Sequence, residues 1–252
     1  MSAITRRVPA GVVSTLVALL IWQLAAMVGP LSSGSFPTAI ATVGAFFIIL
    51  TEPILWTQLL ATAQMAVVGF VISVVFAVPV GICLGLSRFA YRSTKFTFDF
   101  FKVIPPIVII PITILVLGPT IQMGIFLVVF ANFFALAIQT AYGVRDSDVV
   151  LLETMRCYRL GTGRQILFAR LPAAAPFVAI GLRIAASVAL IVAVVAGLVG
   201  GAPGLGQLLA MYQTGNQIAK TFAVVLLLGI LGILVSRGIV FAQRRLVFWM
   251  GK

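Results

Sequence analysis

Residues 174–199, AAPFVAIGLRIAASVALIVAVVAGLV, form an apolar run in which Arg183 is the one charged residue. A helix needs about 20 mainly apolar residues to cross the hydrocarbon core of a membrane, and this run is longer. Strands of a transmembrane barrel alternate apolar and polar residues over about 10 positions, and this run does not. It therefore predicts a transmembrane helix, with Arg183 near the cytoplasmic end, where its side chain reaches the interface.

The remainder of the chain has the same apolar character. Hydrophobic residues make up 62% of the 252 positions and charged residues 9%, and the mean hydropathy is +1.22. A soluble domain carries about 25% charged residues, so this composition indicates an all-α integral membrane protein. Charged breaks divide the chain into six predicted transmembrane helices within a single domain, residues 1–252. The predicted spans are residues 11–29, 58–87, 103–118, 122–142, 174–199 and 221–242.

The basic residues predict the orientation. With the N-terminus placed in the cytoplasm, every Lys and Arg falls on the cytoplasmic side except Lys220. The positive-inside rule then supports six spans with both termini cytoplasmic. The same rule accounts for the formal net charge of +12 without a nucleic acid partner. The first span follows Arg6 and Arg7 and has no small-residue cleavage site, so we expect a retained helix rather than a signal peptide.

The positions of proline and glycine predict where helices break and where they pack closely. Pro105, Pro106 and Pro111 predict that the third span is broken or kinked. Residues 34–57 contain two proline breaks and predict an amphipathic helix at the interface. Residues 197–220 are glycine-rich and then short-helical. The pairs Gly81-x-x-x-Gly85 and Gly197-x-x-x-Gly201 allow close approach of neighbouring helices, so we expect them to pack.

Several classes of function are disfavoured by what the sequence lacks. The chain has no histidine, and no G-x-x-x-x-G-K-[ST] phosphate loop occurs in it. The two cysteines have no metal-site spacing, and we expect both to be packing residues. The topology places no acid in mid-membrane, which argues against a carrier driven by a coupling ion and against an intramembrane hydrolase. The five acids are Glu52, Asp99, Asp146, Asp148 and Glu153.

A polar insert, residues 143–172, interrupts this apolar chain between the fourth and fifth spans. Asp146, Ser147 and Asp148 are N-cap candidates for a helix over about 149–160, which Gly161 or Gly163 would end. Thr162 and Gln165 have the capping-box spacing and predict a second short helix that stops at Pro172. In the first helix the spacing separates an apolar face from a charged face. The apolar face comprises Leu151, Leu152, Met155 and Tyr158, and the charged face Glu153, Arg156 and Arg159. The insert is thus either a docking knob for a soluble partner or a solvated loop whose arginines anchor the topology.

The insert resembles the cytoplasmic loop of membrane subunits of bacterial ABC importers, whose pattern is E-A-A-x₃-G-x₉-I-x-L-P. Glu153 has the required spacing to Pro172, and LPAAAPFVAIGLRIA at 171–185 is similar to the branch that serves nitrate, sulfonates and taurine. FPTAIAT at 36–42, IPPIVIIPITILVLG at 104–118 and GLG at 204–206 extend the resemblance over most of residues 36–210. The chain departs from the pattern at Thr154 and Met155 (alanines in the pattern), at Ala169 (isoleucine), at Arg159 (glycine), and at Gly197, where many relatives carry Glu.

The resemblance implies a permease subunit, not an enzyme, in a bacterial inner membrane, with the insert as a coupling helix seated on an ATPase subunit. It implies that ATP and Mg²⁺ bind to that ATPase and that no cofactor binds to this chain. It also implies a second permease copy, usually identical, and an extracytoplasmic binding protein that delivers a small polar or anionic solute such as a sulfonate, nitrate or vitamin precursor. The coupling residues it implies are Glu153, Thr154, Met155, Arg156, Tyr158, Arg159, Gly161, Leu171 and Pro172.

The solute pathway is less well defined by the sequence. Gln64, Asn132 and Gln139 are polar groups within predicted spans, and we take them as candidates for lining it. Two other functions stay open from the residues alone. One is a secondary transporter or channel without an ATPase, which the six spans and the broken third helix would suit. The other is a membrane scaffold.

Overall fold

The computed structural model describes residues 10–27 and 36–246, and every regular element among them is helical. The all-α prediction is therefore confirmed for this part of the chain. The helices are α1 (Ala10–Met27), α2 (Ala39–Thr51), α3 (Pro53–Leu86), α4 (Arg88–Val103), α5 (Pro106–Leu117), α6 (Ile121–Arg145), α7 (Val149–Cys157), α8 (Thr162–Gln165), α9 (Leu171–Gly200), α10 (Leu205–Thr214) and α11 (Ile218–Leu246). A π-helical turn, Ile166–Arg170, joins α8 to α9.

Four helices in the described residues are long and apolar enough to cross a membrane. They are α3, α6, the continuous helix Thr162–Gly200, and Ile218–Phe241 of α11. α4 and α5 qualify only as a pair bent by 87°, which gives up to five spans. The predicted first span, 11–29, coincides with α1 as far as Met27, and its last two residues lie outside the described part. A total of six spans therefore stays a prediction.

The break between α4 and α5 confirms the predicted kink. Pro105 precedes α5 as its N-cap, and Pro106 is the first helical residue. A proline has no backbone N–H to donate and its ring favours the first turn of a helix, so α5 starts anew here. Pro111 is accommodated inside α5. The span predicted at 103–118 is thus the second half of a bent pair that begins with α4.

α4 occupies residues that were expected to form a loop. Its ring contacts run along α6: the Phe101 ring stacks on Phe134 at 5.0 Å, and the Tyr91 ring meets Tyr142 at 6.4 Å. Ten residues of α4 and eight of α6 separate these two contacts, so α4 follows α6 for about 12–15 Å. Asp99 therefore lies on a helix that runs beside α6, and the absence of acids from mid-membrane stays a prediction.

Contacts divide the chain into two compact units. One comprises residues 1–56 and 209–228, and the other comprises residues 57–208 and 229–252. Each unit is described by itself.

The larger unit packs helices closely through small residues. A Cβ added at Gly81 would lie 2.4 Å from the carbonyl oxygen of Ala137, and one at Gly85 would lie 2.5 Å from the Cβ of Val144. Both distances are shorter than real contacts, so α3 approaches α6 at a spacing that only glycine permits. The packing role predicted for this glycine pair is confirmed. On α9, Gly181 faces α6 in the same way.

The glycine-rich turn after α9 is equally tight. Gly201 ends α9 in the left-handed conformation, with φ of 70°. A Cβ at Gly206 would lie 1.9 Å from the carbonyl oxygen of Val194, so α10 begins against the backbone of α9. A Cβ at Gly197 would lie 2.9 Å from the backbone nitrogen of Gln207. A larger side chain at position 197, such as the glutamate of the family pattern, would therefore require the start of α10 to shift away from α9.

In the smaller unit, the helix predicted within residues 34–57 is α2. The Thr38 hydroxyl caps it by accepting a hydrogen bond from the N–H of Ala41 at 3.2 Å. The amphipathic character expected for it is wrong: Ile49 is buried, yet the exposed face carries Phe47 and Ile40 and is also apolar. The sequence of α2, AIATVGAFFIILT, contains no charge that could form a polar face.

Candidate functional site

The polar insert begins with a capped helix, as predicted. Asp148 is the N-cap of α7, and its carboxylate accepts hydrogen bonds from the N–H groups of Val150 and Leu151 at 2.8 and 3.4 Å. The Ser147 hydroxyl instead donates to the carbonyl oxygen of Val144 at 2.9 Å. These hydrogen bonds pair a free carbonyl group at the end of α6 and free N–H groups at the start of α7. α7 is therefore a short helix separate from α6.

The end of α7 explains the arginine that stands in place of the pattern's glycine. Arg159 adopts φ of 54°, the left-handed conformation that glycine usually supplies. Its N–H donates to the carbonyl oxygen of Arg156 at 2.8 Å, and the N–H of Leu160 donates to Met155 at 2.9 Å. This pair of bonds is a Schellman motif with arginine at the left-handed position. The prediction that one of the two downstream glycines ends the helix is wrong, because the turn forms before them.

The capping box predicted for the second helix does not form. Gly161 is the N-cap of α8, and it makes no side-chain capping bond. Thr162 is already helical, and the Gln165 side chain donates to the carbonyl oxygen of Leu160 at 2.8 Å. Gln165 therefore satisfies the preceding turn rather than the N-terminus of its own helix.

The second helix continues past Pro172 instead of ending before it. Thr162–Gly200 is continuous for 39 residues, about 58 Å, so it extends well beyond a hydrocarbon core of about 30 Å. The N–H of Leu171 bonds to the carbonyl oxygen of Ile166, one residue further back than in an α-helix. This π-turn directly precedes Pro172 and shifts the backbone pairing by one residue, which lets the continuous helix accommodate a residue that lacks an N–H.

α7 presents three faces. Met155 is buried against the rest of the unit. Val149, Leu152, Glu153 and Arg156, spaced at helical intervals, line a cavity. The third face points away from the unit and carries exposed apolar side chains, with Val150 70% and Tyr158 77% exposed. That face comprises Val150, Leu151, Thr154, Cys157 and Tyr158. Both Cys157 and Cys83 are exposed, so the expectation that the two cysteines are packing residues is wrong. The predicted grouping of Tyr158 with Met155 is wrong, because Tyr158 follows the last turn of α7 and faces outward.

The cavity beside α7 is strongly basic. Its volume is about 410 Å³, and it lies where α3 and α6 end and α7 begins. Its charged lining consists of Arg88, Arg145, Arg156, Arg170 and Glu153. Of these residues, only Glu153 and Arg156 were predicted to belong to a functional site. The other three arginines were interpreted only as cytoplasmic charges that set the orientation of the chain. The fold shows that they line the same cavity.

Of the three residues proposed for a solute pathway, Asn132 and Gln139 lie together and Gln64 lies apart. Asn132 is buried between α6 and α9, and its side-chain amide donates to the carbonyl oxygen of Ala185 at 3.1 Å. Gln139 shares with Asn132 the lining of a small cavity of about 130 Å³ next to Gly181. Gln64 is exposed on α3 and lines neither this cavity nor the basic one. A pathway role for these residues stays a prediction.

A separate polar cluster occurs in the smaller unit. The Glu52 carboxylate pairs with the Lys220 ammonium at 2.7 Å and also accepts a hydrogen bond from the Tyr212 hydroxyl. The hydrogen bond from Lys220, followed by that from Tyr212, lowers the pKa of Glu52 below its ordinary value. Burial, reinforced by the neighbouring carboxylate, raises the pKa of Tyr212. Lys220, the one basic residue assigned to the outer side, thus has an acidic partner.

Metal ligands are not clustered in the described residues: no group of three or more Cys, Asp and Glu side chains in 10–27 or 36–246 could hold an ion.

The chain is similar to known proteins in both sequence and fold. Residues 77–251 match the family described as binding-protein-dependent transport system inner membrane component. A probable ABC transporter permease protein of Brucella melitensis is 30% identical over 194 residues, covering 76% of this chain and 78% of that one. A putative aliphatic sulfonates transport permease protein of Escherichia coli is 28% identical over 96% of this chain and 89% of its own length. The fold resembles an inward-facing structure of the MetNI methionine ABC transporter, with a TM-score of 0.64 and 23% identity over 80% of this chain and 100% of that chain.

Proposed function

The chain belongs to the family of binding-protein-dependent transport system inner membrane components, and from this premise we propose that two copies of it form the pathway of an ATP-driven importer. As an ABC importer permease it is a multi-pass membrane protein. Each copy contributes six spans, with both termini and α7 in the cytoplasm of a bacterial cell. An extracytoplasmic binding protein delivers the solute.

The observation that carries this proposal is the outward face of α7. Large apolar side chains such as Val150 and Tyr158 are exposed there, on a helix that lies outside the membrane-spanning segments. Exposed apolar side chains of this kind, rimmed by charge, are typical of a protein contact. We assign this face to a groove on the ATPase subunit, which binds ATP and Mg²⁺. ATP-driven movements of the ATPase then reach the bundle through the short Schellman turn and the continuous helix Thr162–Gly200.

The experiment is co-purification of the ATPase with variants of the outward face. Val150→Asp combined with Tyr158→Ala places a charge in the contact and removes its largest side chain, so we expect at least tenfold less ATPase to be retained. Arg164→Gln, an exposed change on α8, is the matched control and should retain the ATPase. Full retention by the double variant would refute docking through this face. Solute uptake by the purified chain alone, driven by an ion gradient, would favour a secondary transporter instead.

The solute is a small polar or anionic molecule, and two considerations support this class. The name of the Escherichia coli relative refers to the transport of aliphatic sulfonates, and that relative aligns with nearly the whole of this chain. Asn132 and Gln139 place amide groups beside a small cavity between α6 and α9. The test is ligand binding by the partner binding protein, assayed with a panel of sulfonates, nitrate, bicarbonate and pyrimidines. Tight binding of a cationic or wholly apolar compound, with none of the panel bound, would overturn the assignment.

A further inference from the structure

The basic cavity beside α7 carries a net positive charge that its lining balances only in part. Four arginines and one glutamate line it. The two ion pairs between side chains in the described residues, Lys102–Asp99 and Lys220–Glu52, lie elsewhere. The Arg145 guanidinium stacks on the Tyr91 ring at 4.3 Å, which orients it without neutralising it. Like charges gathered around one cavity repel each other, so a bound anion would relieve an electrostatic cost.

The position of the cavity relates it to the membrane surface. Leu86 and Arg145, the last residues of the spanning helices α3 and α6, both line it. A cavity at the ends of two spanning helices lies at the level of lipid headgroups. Basic pockets between helices at this level are suited to anionic headgroups.

An apolar stripe on α4 begins next to the cavity. Phe89, Phe96, Phe100 and Val103 are spaced by 7, 4 and 3 residues, so they lie on one side of the helix. All four are exposed, Phe89 and Phe96 each to 81%. The opposite side of α4 carries Tyr91 and Phe101, which pack against α6. The stripe therefore faces away from the protein, and it starts one residue after Arg88 of the cavity.

We propose that the cavity binds the phosphate headgroup of an anionic phospholipid and that an acyl chain of this lipid lies along the stripe of α4. Charge complementarity selects a phosphate-bearing anion, and the adjoining apolar stripe selects a lipid over free phosphate. The headgroup contacts Arg88 on α4, Arg145 on α6 and Arg156 on α7. A bound lipid would thus fasten α7 to the membrane-spanning helices. This site depends on the membrane location of the chain and not on the identity of the transported solute.

The test is native mass spectrometry of the full chain with phosphatidylglycerol and, in parallel, with phosphatidylcholine. We expect bound phosphatidylglycerol and little phosphatidylcholine. Each arginine near a membrane surface strengthens binding about fivefold, so Arg88→Gln with Arg145→Gln should weaken phosphatidylglycerol binding roughly 25-fold. The matched control is Arg159→Gln with Arg164→Gln, which also removes two positive charges, from exposed positions of the polar insert that lie outside the cavity. It should change phosphatidylglycerol binding by no more than about twofold.

Two further variants separate this site from loss of fold and from a simple anion site. Glu153→Gln removes the one acid of the cavity and should strengthen phosphatidylglycerol binding about fivefold, a gain that misfolding cannot produce. Phe89→Ser with Phe96→Ser should weaken phosphatidylglycerol binding without changing the binding of inorganic phosphate. Equal loss in both arginine pairs, no gain in Glu153→Gln, or displacement of the lipid by a few millimolar inorganic phosphate would overturn the proposal.

Discussion

The Schellman turn at Arg159 yields the sharpest test of how this chain forms its insert. An L-residue in the left-handed conformation brings its Cβ close to a carbonyl oxygen, at a cost of about 1–2 kcal/mol. Glycine avoids this cost but loses about 0.5–1 kcal/mol more backbone entropy on folding. Arg159 is exposed and no ion pair of its side chain occurs among the described residues, so little else is lost on its removal. Arg159→Gly should therefore stabilise the turn by about 0.5–1 kcal/mol.

A β-branched residue should have the opposite effect. Valine at a positive φ is more strained than arginine, because its branched Cβ meets the backbone in every rotamer. We expect Arg159→Val to destabilise the turn by about 1 kcal/mol. Arg159→Pro should abolish it, since proline cannot reach φ of 54° and lacks the N–H that donates to Arg156.

Amide hydrogen exchange of the peptide containing residues 156–165 measures the local effect directly. The reporting amides are those of Arg159 and Leu160, which make the two bonds of the motif. A change of 0.5–1 kcal/mol alters protection by about two- to fivefold, so protection should rise by that factor in Arg159→Gly and fall about fivefold in Arg159→Val. Exchange in α6 is the internal control and should not change. Equal protection in the glycine and valine variants would refute the assignment of strain to this turn.

Three other predictions follow from the packing and the charges. Lys220→Met should leave the Glu52 carboxylate without its ammonium partner and cost about 1–3 kcal/mol near neutral pH, measured by thermal unfolding in detergent. Because the pKa of Glu52 is lowered in the folded state, the stability that the carboxylate contributes is present above the ordinary carboxyl pKa and is lost as pH falls through the lowered pKa. The variant should show a smaller acid-side loss, since only the Tyr212 hydrogen bond still lowers the Glu52 pKa. Gly206→Ala forces a Cβ against a backbone oxygen and should cost about 3 kcal/mol or more, seen as a lower unfolding temperature; an unchanged temperature would contradict the close approach. Cys157 is exposed on the outward face of α7, so it should react with a maleimide in the chain alone and react more slowly when the ATPase is bound. Cys157→Ser measures the background labelling. A labelling rate that the ATPase does not lower would count against docking at this face.

The fold class and the insert could be predicted from the sequence because both depend on local composition. A largely apolar run of 26 residues has few alternatives to a spanning helix, and Asp148 caps α7 through N–H groups two and three residues away. The same local reasoning failed where a residue's role depends on its partners. Pro172 was taken as a helix end, yet a π-turn absorbs it, and residues 88–102 were taken as a loop, yet they pack along α6 as a helix.

The sequence by itself determined that this chain is a membrane protein and which of its segments form long apolar helices. It also determined that a capped polar helix interrupts these segments. Each of these features follows from residues that are near one another in the chain. Only the tertiary structure decided that arginines from α4, α6, α7 and the π-turn line one cavity and that α7 turns Val150 and Tyr158 outward. It also decided that Gly197 and Gly206 lie where backbone segments approach too closely for a Cβ. The physical reason is that charge convergence and close backbone approach are relations between distant segments. Position 159 illustrates both kinds of information. The family pattern has glycine at this position, and the structure shows Arg159 in the left-handed conformation that glycine usually adopts.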